Sequence, residues 1–204
     1  MLFDKPKYFT SFELIARLRK IFNEKKIGHS GTLDKIATGL LIVAVGGQAT
    51  KMLEFLINQD KEYEAKMLIG VKSDTYDISG NLEFEKGSFD IQDGIVFDAL
   101  KSFEGKITQK PPLYSAIKIN GKRASDRVRN GEVVEIKERN VNIYNISDVS
   151  QDQDVVLSDI SCKQYVFRVT CSSGTYIRSL INDVGFKMNR FTLMSELRRT
   201  QIMN

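Results

Sequence analysis

The sequence predicts an α+β fold, a single domain in which a mixed, largely antiparallel β-sheet is flanked by helices. Three observations lead there. Segments with strand character outnumber helical ones, and neighbouring strand segments are joined by short turns. The 204 residues, 42% of them apolar, also run without an internal repeat, a low-complexity tract or a flexible linker. A chain of that length and composition can bury a real core.

Thr10-Ser11-Phe12-Glu13 reads as a capping box, with Thr10 as N-cap and Glu13 reaching back to it. Leu14, Ile15, Leu18, Ile21 and Phe22 then recur at helical spacing, so this helix packs one face on the core and ends near Asn23. A polar, glycine-bearing loop follows from Lys26 to Gly39, and the branched run Leu40 to Val45 reads as a buried strand. Thr50 to Leu56 predicts a short helix. Tyr63, Ala65, Met67 and Ile69 alternate with charged or polar residues for part of the run, as in a strand with one wet face. Ser73 to Asn81 is rich in turn residues, and Phe97 to Phe103 predicts a helix stopped by Gly105. Pro111-Pro112 opens an extended segment, and Asn120-Gly121 is a strong hairpin signal. Ala124 to Asn130 predicts a brief helix closed by Gly131. Strands are expected at Val133–Ile136, Val141–Ile146, Val155–Ile160 and Tyr165–Cys171, then a helix from Thr175 to Met188 and a last strand from Leu197 to Ile202.

The formal net charge of +4 is compatible with a polyanionic partner without demanding one. Its distribution says more. From Lys163 onward the cations are Lys163, Arg168, Arg178, Lys187, Arg190, Arg198 and Arg199, against Asp183 and Glu196. Lys110 to Arg139 is also basic, whereas Glu83 to Glu104 is acidic. Two cysteines, Cys162 and Cys171, and a single histidine, His29, exclude a disulfide framework and a Cys/His zinc cluster. Both cysteines are read as packing residues, and no metal or cofactor is expected. No apolar stretch follows a basic start, so no signal peptide is expected, and the longest apolar run, Leu40 to Val45, falls far short of the roughly 20 residues of a membrane span. The expectation is a cytoplasmic protein with no membrane contact. No heptad seam is visible, so a monomer is expected.

Gly28-His29-Ser30-Gly31-Thr32-Leu33-Asp34-Lys35-Ile36-Ala37-Thr38-Gly39 sets three glycines, a histidine and an acid just before a buried strand. Loops held against strands often carry function, and glycines let a ligand approach the backbone. The segment lacks the Gly-Lys-Ser/Thr ending of a phosphate-binding loop. Together with Leu40 to Lys51 it closely resembles the catalytic segment of the TruB family of transfer RNA pseudouridine synthases. Further segments agree in the family's order: Asp4-Lys5-Pro6 with Thr10-Ser11, Asp60-Lys61-Glu62-Tyr63, Pro111 to Lys118 with Asn120 to Arg123, Ser173 to Gly185, and Leu197-Arg198-Arg199.

The resemblance implies a pseudouridine synthase fold and conversion of uridine to pseudouridine at position 55, in the T loop of tRNA, after the base is flipped out. It implies that Asp34 is the catalytic carboxylate, that Tyr63 stacks on the target base and is a candidate proton acceptor, and that Arg178 pairs with the carboxylate. Tyr176 and Leu197 match positions lining the uracil pocket, His29 matches the histidine that enters the RNA beside the extruded nucleotide, and Lys5 and Pro6 match residues supporting the site. Isomerisation breaks the C1′–N1 bond, turns the uracil and joins C1′ to C5, with no redox change and no metal. A carboxylate can add to the base, add to C1′ or help remove the C2′ proton, and the sequence leaves these open. An unrelated aspartate-dependent hydrolase, a catalytically silent RNA-folding factor and a guide-RNA-dependent catalytic subunit are the competing readings.

Three positions depart from the family pattern: Tyr8 where glycine is usual, Lys35 where proline commonly follows the aspartate, and Ser30 for threonine. Many relatives also carry a C-terminal RNA-binding PUA domain. Because Leu197-Arg198-Arg199 stands near position 204, the expectation is one catalytic domain over 1–204 with no PUA domain, no required protein partner, and weaker, more salt-sensitive RNA binding than in longer relatives.

Overall fold

The computed structural model of the protein describes residues 1–86, 91–119 and 121–203. Its first elements are β1 (Leu2–Lys5), α1 (Ser11–Ile21), β2 (Ile27–His29), β3 (Thr38–Val45), α2 (Gly47–Lys51), α3 (Leu53–Ile57), β4 (Asp60–Ile69), β5 (Val71–Ser73) and β6 (Leu82–Phe84). Then come α4 (Asp93–Lys101), β7 (Gly105–Gln109), β8 (Lys118–Ile119), β9 (Lys122–Arg123), α5 (Ala124–Arg129) and β10 (Arg139–Gln151). The chain closes with β11 (Val155–Leu157), β12 (Ile160–Cys171), α6 (Ile177–Met188) and β13 (Thr192–Met203).

One sheet dominates, in the order β1-β3-β13-β4-β12-β10-β7, with β2 beside β3 and β11 beside β12. Of its described pairings only β13 with β3 is parallel, so the sheet is mixed and largely antiparallel, as the sequence predicts. Period-two alternation sorts the side chains of its long central strands. Ala65, Met67 and Ile69 of β4, Tyr165, Phe167, Val169 and Cys171 of β12, and Met194 and Leu197 of β13 share one face. Helices α4 and α6 cover that face with Val96, Ala99, Leu100, Leu180, Ile181 and Val184. Each of the larger side chains, the valines, leucines, isoleucines, methionines and Phe167, contributes roughly 1.5–3 kcal/mol by leaving water. Leu68, Val71, Cys162 and Leu193 form a smaller cluster on the opposite face, and α1 lays Ile15 and Leu18 on Ile27, Leu41 and Val43. The two cysteines thus pack on opposite faces of β12, and burial pushes the Cys171 thiol up to about 12.

Thr10 and Glu13 form the expected reciprocal cap on α1. Other elements differ from the sequence reading. Val133–Ile136 is not a strand: Val133 is 99% exposed and only Ile136 is buried. The edge of β10 is occupied by β7 instead, so this stretch has no ladder to join. Val155–Ile160 is not one strand but a hairpin, because Ser158 and Asp159 both take positive φ, 49° and 64°, and reverse the chain between β11 and β12. The helix expected over Thr50–Leu56 divides at Met52 into α2 and α3. The one expected from Thr175 starts at Ile177, with Tyr176 as its N-cap. The 26–39 loop holds β2 and the start of β3. Lys118–Ile119 pairs with Lys122–Arg123 as the expected hairpin, although Asn120 itself lies outside the described residues.

Gly39 marks the tightest approach in the sheet. Its φ is +101°, and a Cβ there would lie 2.3 Å from the Arg199 carbonyl oxygen on the parallel neighbour β13. Gly39→Ala is expected to cost about 2–5 kcal/mol, combining left-handed strain with forced separation of the strands. A urea midpoint within error of the wild-type value would contradict this.

Candidate active site

The segment carrying Asp34 has little regular structure yet is pinned along its length. Ser30 N–H donates to the Ile42 carbonyl at 2.9 Å. Leu33 N–H donates to the buried Ser11 hydroxyl at 3.0 Å. Tyr8 N–H donates to the Lys35 carbonyl at 2.8 Å, and Ala37 N–H to the Asp34 carbonyl at 3.1 Å. Leu33, Ile36 and Ala37 are buried in the main core. Tyr8 has φ 69°, the left-handed conformation that favours glycine, so a tyrosine here places strain in this turn.

Arg178, in the first turn of α6, meets Asp34 as a fork. Nε donates to Oδ2 at 2.8 Å and Nη2 to Oδ1 at 3.1 Å. Nη1 also donates to the Thr75 carbonyl at 2.8 Å, and Nη2 to the Tyr114 carbonyl at 3.0 Å. Asp77 stands 3.5 Å from Nη1. The guanidinium side chain is 4% exposed and Asp77 6%, whereas Asp34 is 37% exposed. The fork therefore fixes the carboxylate while leaving it open to a ligand. Asp77 is held in turn by the Thr75 hydroxyl and by Ser79.

Asp34 opens onto a cavity of about 310 Å³ whose walls include Tyr63, Tyr176, Leu197, Ile117 and Arg199. Tyr63 and Leu197 come from adjacent strands, where Leu197 opposes Ala65 and Arg199 opposes Tyr63. Gln109 clamps the backbone of Tyr176: its amide donates to the Tyr176 carbonyl at 3.0 Å and accepts from the Tyr176 N–H at 2.8 Å. The Arg139 guanidinium lies 5.6 Å from the centre of the Tyr176 ring. Burial pushes the Tyr63 hydroxyl up to about 12, with Arg199 working the other way. The Tyr176 hydroxyl is raised, again first by burial.

Five of the eight residues singled out in the sequence, Asp34, Tyr63, Tyr176, Arg178 and Leu197, line this one cavity. His29, Lys5 and Pro6 do not. His29 sits on β2 opposite Val43, and burial, then Arg199, lowers its pKa. Lys5 is fully buried and its ammonium donates to the Pro6 and Phe9 carbonyls at 2.9 and 2.6 Å. It supports the N-terminal turn from beneath, and burial lowers its pKa to about 8. The sequence reading assigned no roles to Arg199, Lys61 or Asp77. Arg199 is two residues past Leu197 in a strand and so had to share its face. Asp77 gave no such signal, because a turn brings it to Arg178.

The family model described as TruB family pseudouridylate synthase (N terminal domain) matches residues 19–177. The chain belongs to the TruB family. It is 42% identical over 200 residues to tRNA pseudouridine synthase B of Clostridium tetani, covering 98% of this chain and 66% of that protein. It is 42% identical over 196 residues to the same-named protein of Streptococcus thermophilus, covering 96% and 65%. The chain thus spans just under two thirds of the length of these relatives. Among solved structures, a chain in a crystal structure of a Cbf5-Nop10-Gar1 complex superposes with a TM-score of 0.68 at 33% identity, covering 98% of this chain and 47% of that one. A chain in an H/ACA RNP bound to a substrate RNA containing 2′-deoxyuridine gives 0.66 at 31% identity, covering 98% and 45%. The fold is therefore shared with these structures along nearly the whole chain.

Proposed function

We propose that residues 1–204 form the catalytic domain of a tRNA pseudouridine synthase that isomerises uridine 55 in the T loop. The observation that carries this reading is the forked Asp34–Arg178 pair, which presents a partly open carboxylate to a cavity walled by Tyr63, Tyr176 and Leu197 in a TruB-family chain. Relatives named tRNA pseudouridine synthase B make tRNA the favoured substrate.

The target uridine leaves its stack at a cost of a few kcal/mol. The ring of Tyr63 returns about 1–3 kcal/mol by stacking. Asp34, with its orientation fixed, acts at the base or the ribose as the C1′–N1 bond breaks. The freed uracil turns within the cavity, whose apolar wall at Leu197 and Ile117 does not compete for its polar edges. C1′ then joins C5, the C5 proton leaves, and N1, freed from the ribose, gains a proton, so the net transfer is from C5 to N1. Tyr63 is a neutral phenol at pH 7, so to accept that proton it must hand on its own. His29 lies beside the catalytic segment on β2, where it can enter the RNA next to the extruded nucleotide. The reading includes a monomer acting in the cytoplasm without a protein partner.

The test is incubation of an unmodified tRNA transcript with the protein alone, with pseudouridine located by nucleotide-resolution chemical probing. A new pseudouridine at position 55 is the expected result. Tight RNA binding without product would favour an RNA-folding factor, and product only in the presence of a guide RNA would favour the guided class.

A further inference from the structure

Arg199 heads the fully buried large side chains of the protein, at 2% exposure, and it lines the cavity. No carboxylate pairs with it among the described residues. Its guanidinium is held by backbone oxygens: Nε donates to the Leu40 carbonyl at 2.7 Å and Nη2 to the Gly31 carbonyl at 3.2 Å. These two contacts tie β13 to β3 and to the catalytic segment three residues before Asp34. Across the β13–β4 ladder Arg199 stands directly opposite Tyr63, on the same face. Directly opposed residues on one face of a ladder have Cβ atoms about 4.5–5.5 Å apart, so the guanidinium and the phenol are side-chain neighbours.

A buried charge without a counter-ion is costly, and the surroundings adapt to this one. His29 and Lys61 have pKa values lowered by burial first and by Arg199 next, and Lys5 is affected in the same sense. Burial and this cation act in the same direction on these neighbours. A guanidinium carries donors only. In any hydrogen bond between the two, the phenol oxygen must therefore accept, and the phenol O–H must point elsewhere. The open direction is the cavity, which both residues line.

We infer that Arg199 is a positioning residue that acts through Tyr63, occupying one lone pair of its hydroxyl so that the O–H is directed at the nucleobase in the cavity. This rests on the proposed synthase reading. The same contact stabilises negative charge on the phenol oxygen whenever its proton is handed on.

The test compares wild type with Arg199→Met, Tyr63→Phe and the double variant. Single-turnover pseudouridine formation is measured at saturating tRNA, and RNA affinity separately. Arg199→Met is expected to slow the chemical step about 10- to 100-fold, the scale of a small misplacement, with RNA affinity changed less than about twofold. The double variant is expected to be no slower than Tyr63→Phe alone, because the two residues act as one unit. Multiplying effects, or a loss confined to RNA binding, would overturn the inference. A second readout needs no activity: ring-fluorinated tyrosine at position 63, titrated by ¹⁹F NMR with and without Arg199. Its midpoint should rise in Arg199→Met, and an unchanged midpoint overturns the inference. If Arg199→Met does not fold, Arg199→Gln takes its place in both experiments. A wild type that makes no pseudouridine would refute the synthase reading, while the fluorotyrosine titration still decides whether Arg199 acts on Tyr63.

Discussion

Asp34→Asn is expected to slow pseudouridine formation by about 10⁴-fold or more, the scale on which enzymes lose rate when a reacting group is removed, while tRNA still binds. The substitution keeps the shape of the side chain and removes its charge. Each role open to the carboxylate, addition to the base, addition to C1′ or help in removing the C2′ proton, is lost to an amide. The fold should persist, because Arg178 is not left alone: it keeps the Thr75 and Tyr114 carbonyls and its ion pair with Asp77. One arm of the fork would then face the amide N–H₂, donor against donor. The stability loss is expected near 1–3 kcal/mol, the cost of a poorly satisfied buried donor, rather than the roughly 3–5 kcal/mol of a buried ion pair broken outright. A rate within tenfold of wild type, with the protein folded, would remove Asp34 from the chemistry.

What the sequence made legible follows how local each feature is. The Thr10–Glu13 cap and the alternation of Tyr63, Ala65, Met67 and Ile69 are encoded within a few residues, and both stand in the structure. β7 and the missing strand at Val133–Ile136 depend on which segment wins the edge of β10, and local pattern favoured the loser: Val133 is β-branched, whereas Gly105-Lys106 opens a strand that looks polar. The site divides the same way. Asp34 and Arg178 lie 144 residues apart, so no local reading joins them. The family resemblance did, and it also brought Tyr63, Tyr176 and Leu197 to one cavity. Arg199 was within reach of elementary reasoning through its shared strand face with Leu197. Asp77 was not, since its place depends on a turn fixed by Thr75 and Ser79 and on a bridge to Met194.

Arg178 separates charge from geometry, and two substitutions should behave differently there. Arg178→Leu removes the cation from between Asp34 and Asp77 and strips the Thr75 and Tyr114 carbonyls of their donor. Two acids and two carbonyl oxygens then face one another with little water to solvate them, since Asp77 is only 6% exposed. The expected loss is about 3–5 kcal/mol, as when one partner of a buried pair is removed, seen as a lower urea midpoint, together with loss of activity. Arg178→Lys keeps the charge but replaces a planar fork by a point donor on a flexible stem. A lysine cannot span both Asp34 oxygens while also meeting Thr75, Tyr114 and Asp77, so the carboxylate is free to rotate about its χ2 bond. The expected result is a protein that folds and binds tRNA yet isomerises about 10²–10³-fold more slowly, because a displacement near 1 Å at a reacting group already costs about 10²-fold. A wild-type single-turnover rate in Arg178→Lys would mean that charge alone suffices and that the fork does not aim Asp34. A rate loss matched by an equal loss of RNA affinity would place Arg178 in binding instead.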